Sequence, residues 1–503
     1  MDWVLLALIA IPIGAVLVFM LIPSRYPQLV RNVAVVSGFA MFVLSVLVFV
    51  KYEFEGGSGL RFDLQLAWLE NVAFLGKNGI SLHLAVDGIS APMVLLTGIV
   101  IFAGVFISWN IEYRNKDYFV LLFLLVSGVF GVFLSLDLFF LFFFYEVAVL
   151  PMYLLIAVWG ASSHFGTFTR PKEYAAMKLV LYLVGGSALI FVGIFATFME
   201  AGQGTFDLPA LGAVTYDENF QKAVFPLFAL GFGILAGLWP FHTWSPDGHV
   251  AAPTAVSMLH AGVLMKLGAF GILRVAITLF PEGAQFWAPV LMTLGVTGAL
   301  YGAISAMAQR DLKYMVGYSS VSHMGFVLMG LATLTTIGVN GAVLQMFAHG
   351  VMTALMFAMV GAVYDQAHVR DMTLFGGLAQ KTPRLAAFFA IAGLSSLGLP
   401  GLAGFVAEFH IFVGAFNTYP WAGALGILAA AITATYILRM LAMTFFGPFN
   451  DRWAGLKEMR LGEQFGGALL IAFLVFMGVW PAPFIDRISE TVEFILRVGA
   501  SGT

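Results

Sequence analysis

Apolar residues run through this chain in long blocks, separated by short stretches where charges, prolines and glycines collect. A helix needs roughly 20 apolar residues to cross a bilayer. Fourteen blocks qualify: residues 3–22, 30–50, 87–108, 118–134, 138–159, 174–199, 224–243, 253–280, 286–307, 314–331, 339–364, 385–417, 422–446 and 464–480. The pattern predicts an all-α polytopic membrane protein. The first block lacks a basic leader and a small-residue cleavage site, so it reads as a retained helix. Residues 485–498, IDRISETVEFILRV, carry charges at helical spacing and predict an amphipathic tail lying along the interface. The longest polar interval, 51–86, contains FEGGSGLRFDLQLAW. Its alternation around a glycine-rich turn predicts a short β-hairpin.

Composition agrees with this reading. Of 503 residues, 61% are hydrophobic and 10% charged, too few charges to clothe a soluble multi-domain enzyme. A net charge of −3 offers no basic footprint for nucleic acid. The chain has no cysteine, which excludes disulfides, thiolate metal sites and a cysteine nucleophile. No P-loop is present, nor any HExxH or flavin fingerprint.

Basic residues orient the spans. With both termini outside, the inside loops carry fourteen Lys and Arg and the outside segments six; Lys178, Lys266, Arg274 and Arg439 fall within spans. That bias supports an even count of fourteen with periplasmic termini. Lys313 and Arg370 are placed in inside loops by this reading.

Two spans are interrupted. Residues 232–253, FGILAGLWPFHTWSPDGHVAAP, and 395–408, SSLGLPGLAGFVAE, hold prolines and glycines that no continuous helix accepts. Broken backbone is tolerated in a bilayer where it is buried in protein or lines a cavity. Breaks in the seventh and twelfth spans predict two inverted five-helix repeats, spans 4–8 and 9–13. The corresponding units are 1–117 (three helices and the hairpin), 118–280, 281–446, and 447–503 (a last helix and the tail).

Ionisable groups in mid-span are costly, about 2.5–3.5 kcal/mol on insertion scales, and normally serve a function. Glu146 on span 5 and Lys266 on span 8 lie at matching depth, roughly 20 Å from the inside by helical rise. Span 10 carries Ser319, Ser320 and His323 on one face. Span 11 carries Gln345, His349 and Thr353 as a polar stripe. Glu408 follows the break in span 12. Together these residues predict a hydrated proton relay near the midplane. Lys178 lies near an inside end, where snorkelling competes with a relay role. His242 and His249 sit at the span-7 break, placed to cap freed carbonyls. His260 is about 120° around the helix from Lys266, on a different face. Arg274 and Arg439 lie toward helix ends and read as anchors.

Three strings in order, WPFHTWSPDGHVAAPTAVSMLHAGVLMKLGAFGILR, AQRDLKYMVGYSSVSHMGF and LSSLGLPGLAGFVAEF, resemble the antiporter-like membrane subunits of respiratory complex I, NADH:quinone oxidoreductase. These are related to Mrp-type Na⁺/H⁺ antiporters and membrane-bound hydrogenases. The likeness covers roughly residues 85–475. A glutamate at 408, where relatives hold lysine, is similar to the subunit M (mitochondrial chain 4) group. The resemblance implies a proton-translocating subunit without a redox centre of its own. Glu146, Lys266, His323, His349 and Glu408 would form its axis. NADH, FMN, iron–sulfur clusters and quinone would be handled by partner subunits in a peripheral redox arm. Homologous antiporter-like subunits would flank it in a bacterial inner membrane. It leaves room for an Mrp-type antiporter, a hydrogenase- or ferredoxin-coupled pump, or a spacer that has lost pumping. One departure matters: the family's span-7 lysine, the usual partner of the span-5 glutamate, is Leu235 here. His242, His260 and Lys178 are the candidate substitutes as partners of Glu146.

Overall fold

The structure is a computed structural model that describes residues 3–53, 59–72, 74–76, 79–164 and 168–500. Among these residues, thirteen helices are long and apolar enough to cross a bilayer. Spans 1 to 6 are Trp3–Leu21, Pro27–Lys51, Ser90–Ile107, Asn115–Leu134, Leu138–Trp159 and Lys172–Ala201, and span 7 begins as Glu218–Ala236. Spans 8 to 11 are Thr254–Ile277, Pro281–Ala308, Leu312–Ala332 and Thr336–Ala367; spans 13 and 14 are Pro420–Phe445 and Leu461–Val479. Span 12 is the fourteenth, built from two short pieces, Pro383–Ser396 and Ala403–Thr418.

Both expected breaks are present. Span 7 stops at Gly237, whose φ of +77° suits glycine, and resumes as Trp244–Ala251. Span 12 stops after Ser396 and turns through Gly398 and Gly401, both at positive φ. Span 8 has a feature the sequence pattern concealed: it passes into π-helix at His260–Leu264 and Ile272–Ile277, on either side of Lys266.

Spans 8 and 11 are buried throughout, whereas only a third of span 1 and of span 14 is covered. Close approach of small residues puts them at the centre. A Cβ on Gly350 would stand 2.6 Å from the Gly262 carbonyl oxygen, and one on Gly262 would stand 3.0 Å from that of Gly350. This contact seats Lys266, one turn beyond Gly262, opposite His349.

Fourteen crossings return the chain to its starting side, here called the N-terminal face. A hairpin lies there, with β1 (Arg61–Leu69) antiparallel to β2 (Ile80–Val86). This corrects the expected register. The glycine-rich stretch precedes β1 instead of forming the turn, and residues 54–58 lie outside the described residues. The alternation in RFDLQLAWL is that of one strand, and its partner is ISLHLAV, still within the 51–86 interval. The tail is a helix, Ala482–Ala500, strapped across this face. Thr491 Oγ1 meets Tyr52 OH at 3.2 Å and accepts from Gly88 N at 3.0 Å; Asn340 Nδ2 donates to Ser489 Oγ at 2.6 Å.

One local device recurs at both faces. Leu138 N bonds Phe206 O and Leu208 N bonds Leu136 O, pairing Asp137 with Asp207. Leu312 N bonds Arg370 O and Met372 N bonds Arg310 O, pairing Asp311 with Asp371. Asp137 caps span 5, and Asp311 caps span 10 in the same way, each accepting from the amides two and three residues on. Positions five spans apart thus share one construction on opposite faces.

Candidate functional site

The Gly262–Gly350 contact fixes the first pair. Lys266 Nζ donates to His349 Nδ1 at 2.7 Å and also bonds the Ala261 carbonyl, an acceptor set five residues back by the π-turn. Both residues are buried. The His349 ring lies 5.1 Å from that of His323, centroid to centroid. His323 Nε2 meets Ser396 Oγ at 3.1 Å, on the last turn before the span-12 break. Its Nδ1 faces two groups, Gln345 Nε2 at 3.1 Å and Glu408 Oε1 at 3.4 Å. Glu408 stands two turns after the break, and a Cβ on Gly398 would lie 2.8 Å from its Oε2. The break is thus the floor under this carboxylate.

The two contacts at His323 Nδ1 exclude one another. A neutral ring that gives its proton to Ser396 keeps Nδ1 as an acceptor, suited to the Gln345 amide. A ring whose proton sits on Nδ1 donates there to the carboxylate of Glu408 instead, and Nε2 then accepts from the Ser396 hydroxyl, so the position of the ring proton selects the partner.

Lys266, His349, His323, Gln345 and Glu408 are brought together as expected; Ser319 and Glu146 are not. Ser319 accepts from Tyr436 OH at 2.8 Å, away from His323. Glu146 is half-buried on span 5, apart from the axis, and the hydroxyl of Ser187 on span 6 donates to the Val184 carbonyl at 3.1 Å. None of the three proposed substitutes reaches Glu146. Lys178 turns inward, correcting the snorkelling expectation, and pairs with Asp247 Oδ2 at 2.9 Å. His260 lies between Trp244 and His249, and His242 packs edge to face on Tyr301. Spans 5 to 8 stand in a row at this level. A Cβ on Gly186 would meet Gly231 O at 2.8 Å, and one on Gly268 would meet Phe232 O at 2.3 Å. Leu235, on span 7 three residues after Phe232, is fully buried.

Sequence reasoning missed several buried charges. Asp247 is held by Lys178, by the Arg170 guanidinium and by Tyr314 OH at 3.1 Å. Lys313 is not a loop residue. It lies buried in the first turn of span 10 and donates to Ala252 O at 2.9 Å. Arg370, also counted as a loop residue, is buried and pairs with Asp311 at 3.0 Å. Arg274 pairs with Asp87 at 2.5 Å. Burial works to raise the Asp87 carboxyl, but the Arg274 charge and the amides of residues 89 and 90 hold it below its usual range. The available signal was an Asp followed by Leu or Met before an apolar run, at 137, 207, 311 and 371, each an N-cap.

On the N-terminal face His83 bridges Asp207 at 2.5 Å and Asp63 at 2.9 Å. Burial alone would lower its pKa, but the two carboxylates more than offset this and raise it. Burial pushes Asp137 up to about 6 against the pull of the amides it caps.

Interrupted helices, mid-span acids and bases in hydrogen-bonding contact, and a repeated five-span construction define a membrane ion-translocation protein. The chain belongs to the NADH:quinone oxidoreductase/Mrp antiporter transmembrane family, matched over residues 135–433. It is 37% identical over 469 residues to NADH-quinone oxidoreductase subunit M of Pseudomonas aeruginosa, covering 91% of this chain and 90% of that one. It is 34% identical over 487 residues to NAD(P)H-quinone oxidoreductase chain 4 1 of Nostoc sp., covering 95% and 88%. Among solved structures it resembles a chain of respiratory complex I from Thermus thermophilus with bound NADH, with a TM-score of 0.88, 28% identity, and 98% and 99% of the two chains covered.

Proposed function

We propose that this chain is the antiporter-like, proton-translocating subunit M of a proton-pumping NADH:quinone oxidoreductase. The observation that carries the reading is the contact series Lys266–His349–His323–Glu408, which joins spans 8, 11, 10 and 12 across the break. Such a series moves a proton by changing partners, with no bond to carbon made or broken. A unit charge moved against 100 mV requires about 2.3 kcal/mol, which redox chemistry in partner subunits would supply. NADH, FMN, iron–sulfur clusters and quinone belong to those partners in this reading. Homologous membrane subunits flank the chain in a bacterial inner membrane, with both termini periplasmic and the basic loops inside. Residues 118–280 and 281–446 are the two inverted repeats; the matching Asp137–Asp207 and Asp311–Asp371 pairings support that division.

The test is extraction in mild detergent, a native gel, and mass spectrometry of the chains that migrate with this one. Flavin and iron–sulfur subunits with NADH oxidation are expected. Antiporter-like chains alone, with sodium-dependent transport, would place the chain in the Mrp branch instead.

A further inference from the structure

The opposite face reaches toward Lys266 through groups that the axis above does not use. A cavity of about 370 Å³ lies between the ends of spans 3, 5, 8, 10 and 11. Lys313, Asp365, His368 and Arg460 line it, and its floor is Ala252. Lys313 Nζ donates to Ala252 O at 2.9 Å. Ser257 Oγ donates to that same carbonyl, at 3.2 Å, and to the carbonyl of His249 at 2.8 Å. The His249 ring faces that of His260, with centroids 4.1 Å apart. Both residues are fully buried.

These two imidazoles are unusually poor in protein partners. His249 Nε2 meets Ser245 Oγ at 3.0 Å and Met265 Sδ at 3.4 Å, next to Lys266. His249 Nδ1 and both nitrogens of His260 are buried with no protein hydrogen bond. Buried polar atoms ordinarily have partners, so a cluster of three orphans marks a place built for water or for a transferred proton. A neutral imidazole accepts at one nitrogen and donates at the other, which is the requirement for a relay. His249 is joined to both buried lysines through neighbours: its carbonyl shares the Ser257 hydroxyl with the Ala252 carbonyl that Lys313 bonds, and its Nε2 meets Met265, the residue before Lys266. Gly248 completes the fit: a Cβ there would stand 3.1 Å from His260 Cε1, the carbon between the two ring nitrogens. The backbone joining Asp247 to His249 thus lies directly against the His260 ring.

We infer that the His249–His260 pair is the proton-transfer link between the Lys313 cavity on the opposite face and Lys266. A proton taken up beside Lys313 passes to one imidazole, which releases a proton from its other nitrogen toward Lys266; the pair returns to neutrality with no net bond change. The Asp247–Lys178–Arg170 cluster is the positioning element that fixes the broken segment and its imidazole. This inference rests on the proton-translocating reading above.

The test uses the intact complex in proteoliposomes, with proton uptake and NADH oxidation followed together. His249→Gln and His260→Gln keep size and hydrogen bonding but cannot carry a second proton. A fall of about tenfold or more in proton translocation is expected for each, in a complex that still assembles. Wild-type translocation in both would overturn the inference. Should they fail to assemble, Gly248→Ala decides: it keeps both imidazoles while crowding His260, so slowed translocation supports the link and unchanged translocation overturns it. Lys266→Met is the control that separates the two readings. If it also pumps normally, the proton-translocating reading fails, and not merely this link.

Discussion

At the scale of residues, the structure turns a list of polar side chains into a circuit with a gap. Lys266, His349, His323 and Glu408 make contact; Glu146 stands apart, and position 235, where the family resemblance implies an ammonium, is a buried leucine. An isolated buried charge costs several kcal/mol, and a paired one much less. Leu235→Lys is therefore expected to assemble in the presence of Glu146 and to fail in the double variant Leu235→Lys/Glu146→Gln. Assembly of both to the same yield would show that position 235 does not face the carboxylate. Glu146→Gln alone should assemble normally, because a half-buried amide of the same size replaces the carboxylate, and should reduce proton pumping. Full pumping would remove Glu146 from the pathway. Much of this scale was legible, because mid-span acids and bases are rare enough to stand out. What was not legible was pairing. Lys178 sits near a helix end, so snorkelling and inward pairing look alike until Asp247 is placed beside it. Lys313 and Arg370 fall in short loops by hydropathy, yet both are buried by neighbouring elements far away in sequence.

At the scale of elements, the breaks and the caps do the positioning. Gly398 at φ +74° stands against the Glu408 carboxylate, so Gly398→Ala adds left-handed strain of about 1–2 kcal/mol and crowds the acid. Lower thermal stability of the complex and slower translocation are expected together; an unchanged variant would contradict the floor role of this turn. The hairpin supplies a pH-dependent prediction. His83 has its pKa raised on folding, so its bridges contribute stability that is complete below about 6.5 and lost as pH rises through the folded value. Asp137, raised from 3.8 to about 6, acts in the same direction, its contribution fading across that interval. Amide exchange in residues 61–69 and 80–86, corrected for intrinsic base catalysis, should therefore accelerate on going from about pH 5.5 to about pH 8.5. Asp207→Asn should flatten that dependence, and a profile identical to wild type would contradict it. The helix breaks were readable because proline and glycine punctuate a helix locally. The π-turns around Lys266 were not, because they arise from packing of span 8 against its neighbours and leave no mark in hydropathy.

At the scale of the whole molecule, one local construction occurs at both faces. The Asp137–Asp207 and Asp311–Asp371 pairings place the same cap and the same pair of backbone bonds at opposite faces, five spans apart. The span count could be read from hydropathy. The matching pairings were not read in advance, because a two-residue cap signal is short and its partner Asp lies tens of residues away in sequence. The strap helix Ala482–Ala500 ties the N-terminal face to the first three spans through Thr491 and to span 11 through Ser489. Thr491→Val removes two hydrogen bonds and should destabilise the assembled chain by about 1–3 kcal/mol. Denaturation of the purified complex, followed by release of this subunit, would measure the loss, and none at all would contradict the strap.

The central claim is that proton movement passes through Lys266 and its contacts. The most direct measurement is the ratio of protons translocated to NADH oxidised for Lys266→Met in the assembled, reconstituted complex. A clear fall in protons moved is expected, with the complex intact and its redox centres filled. An unchanged ratio at an unchanged rate would contradict it.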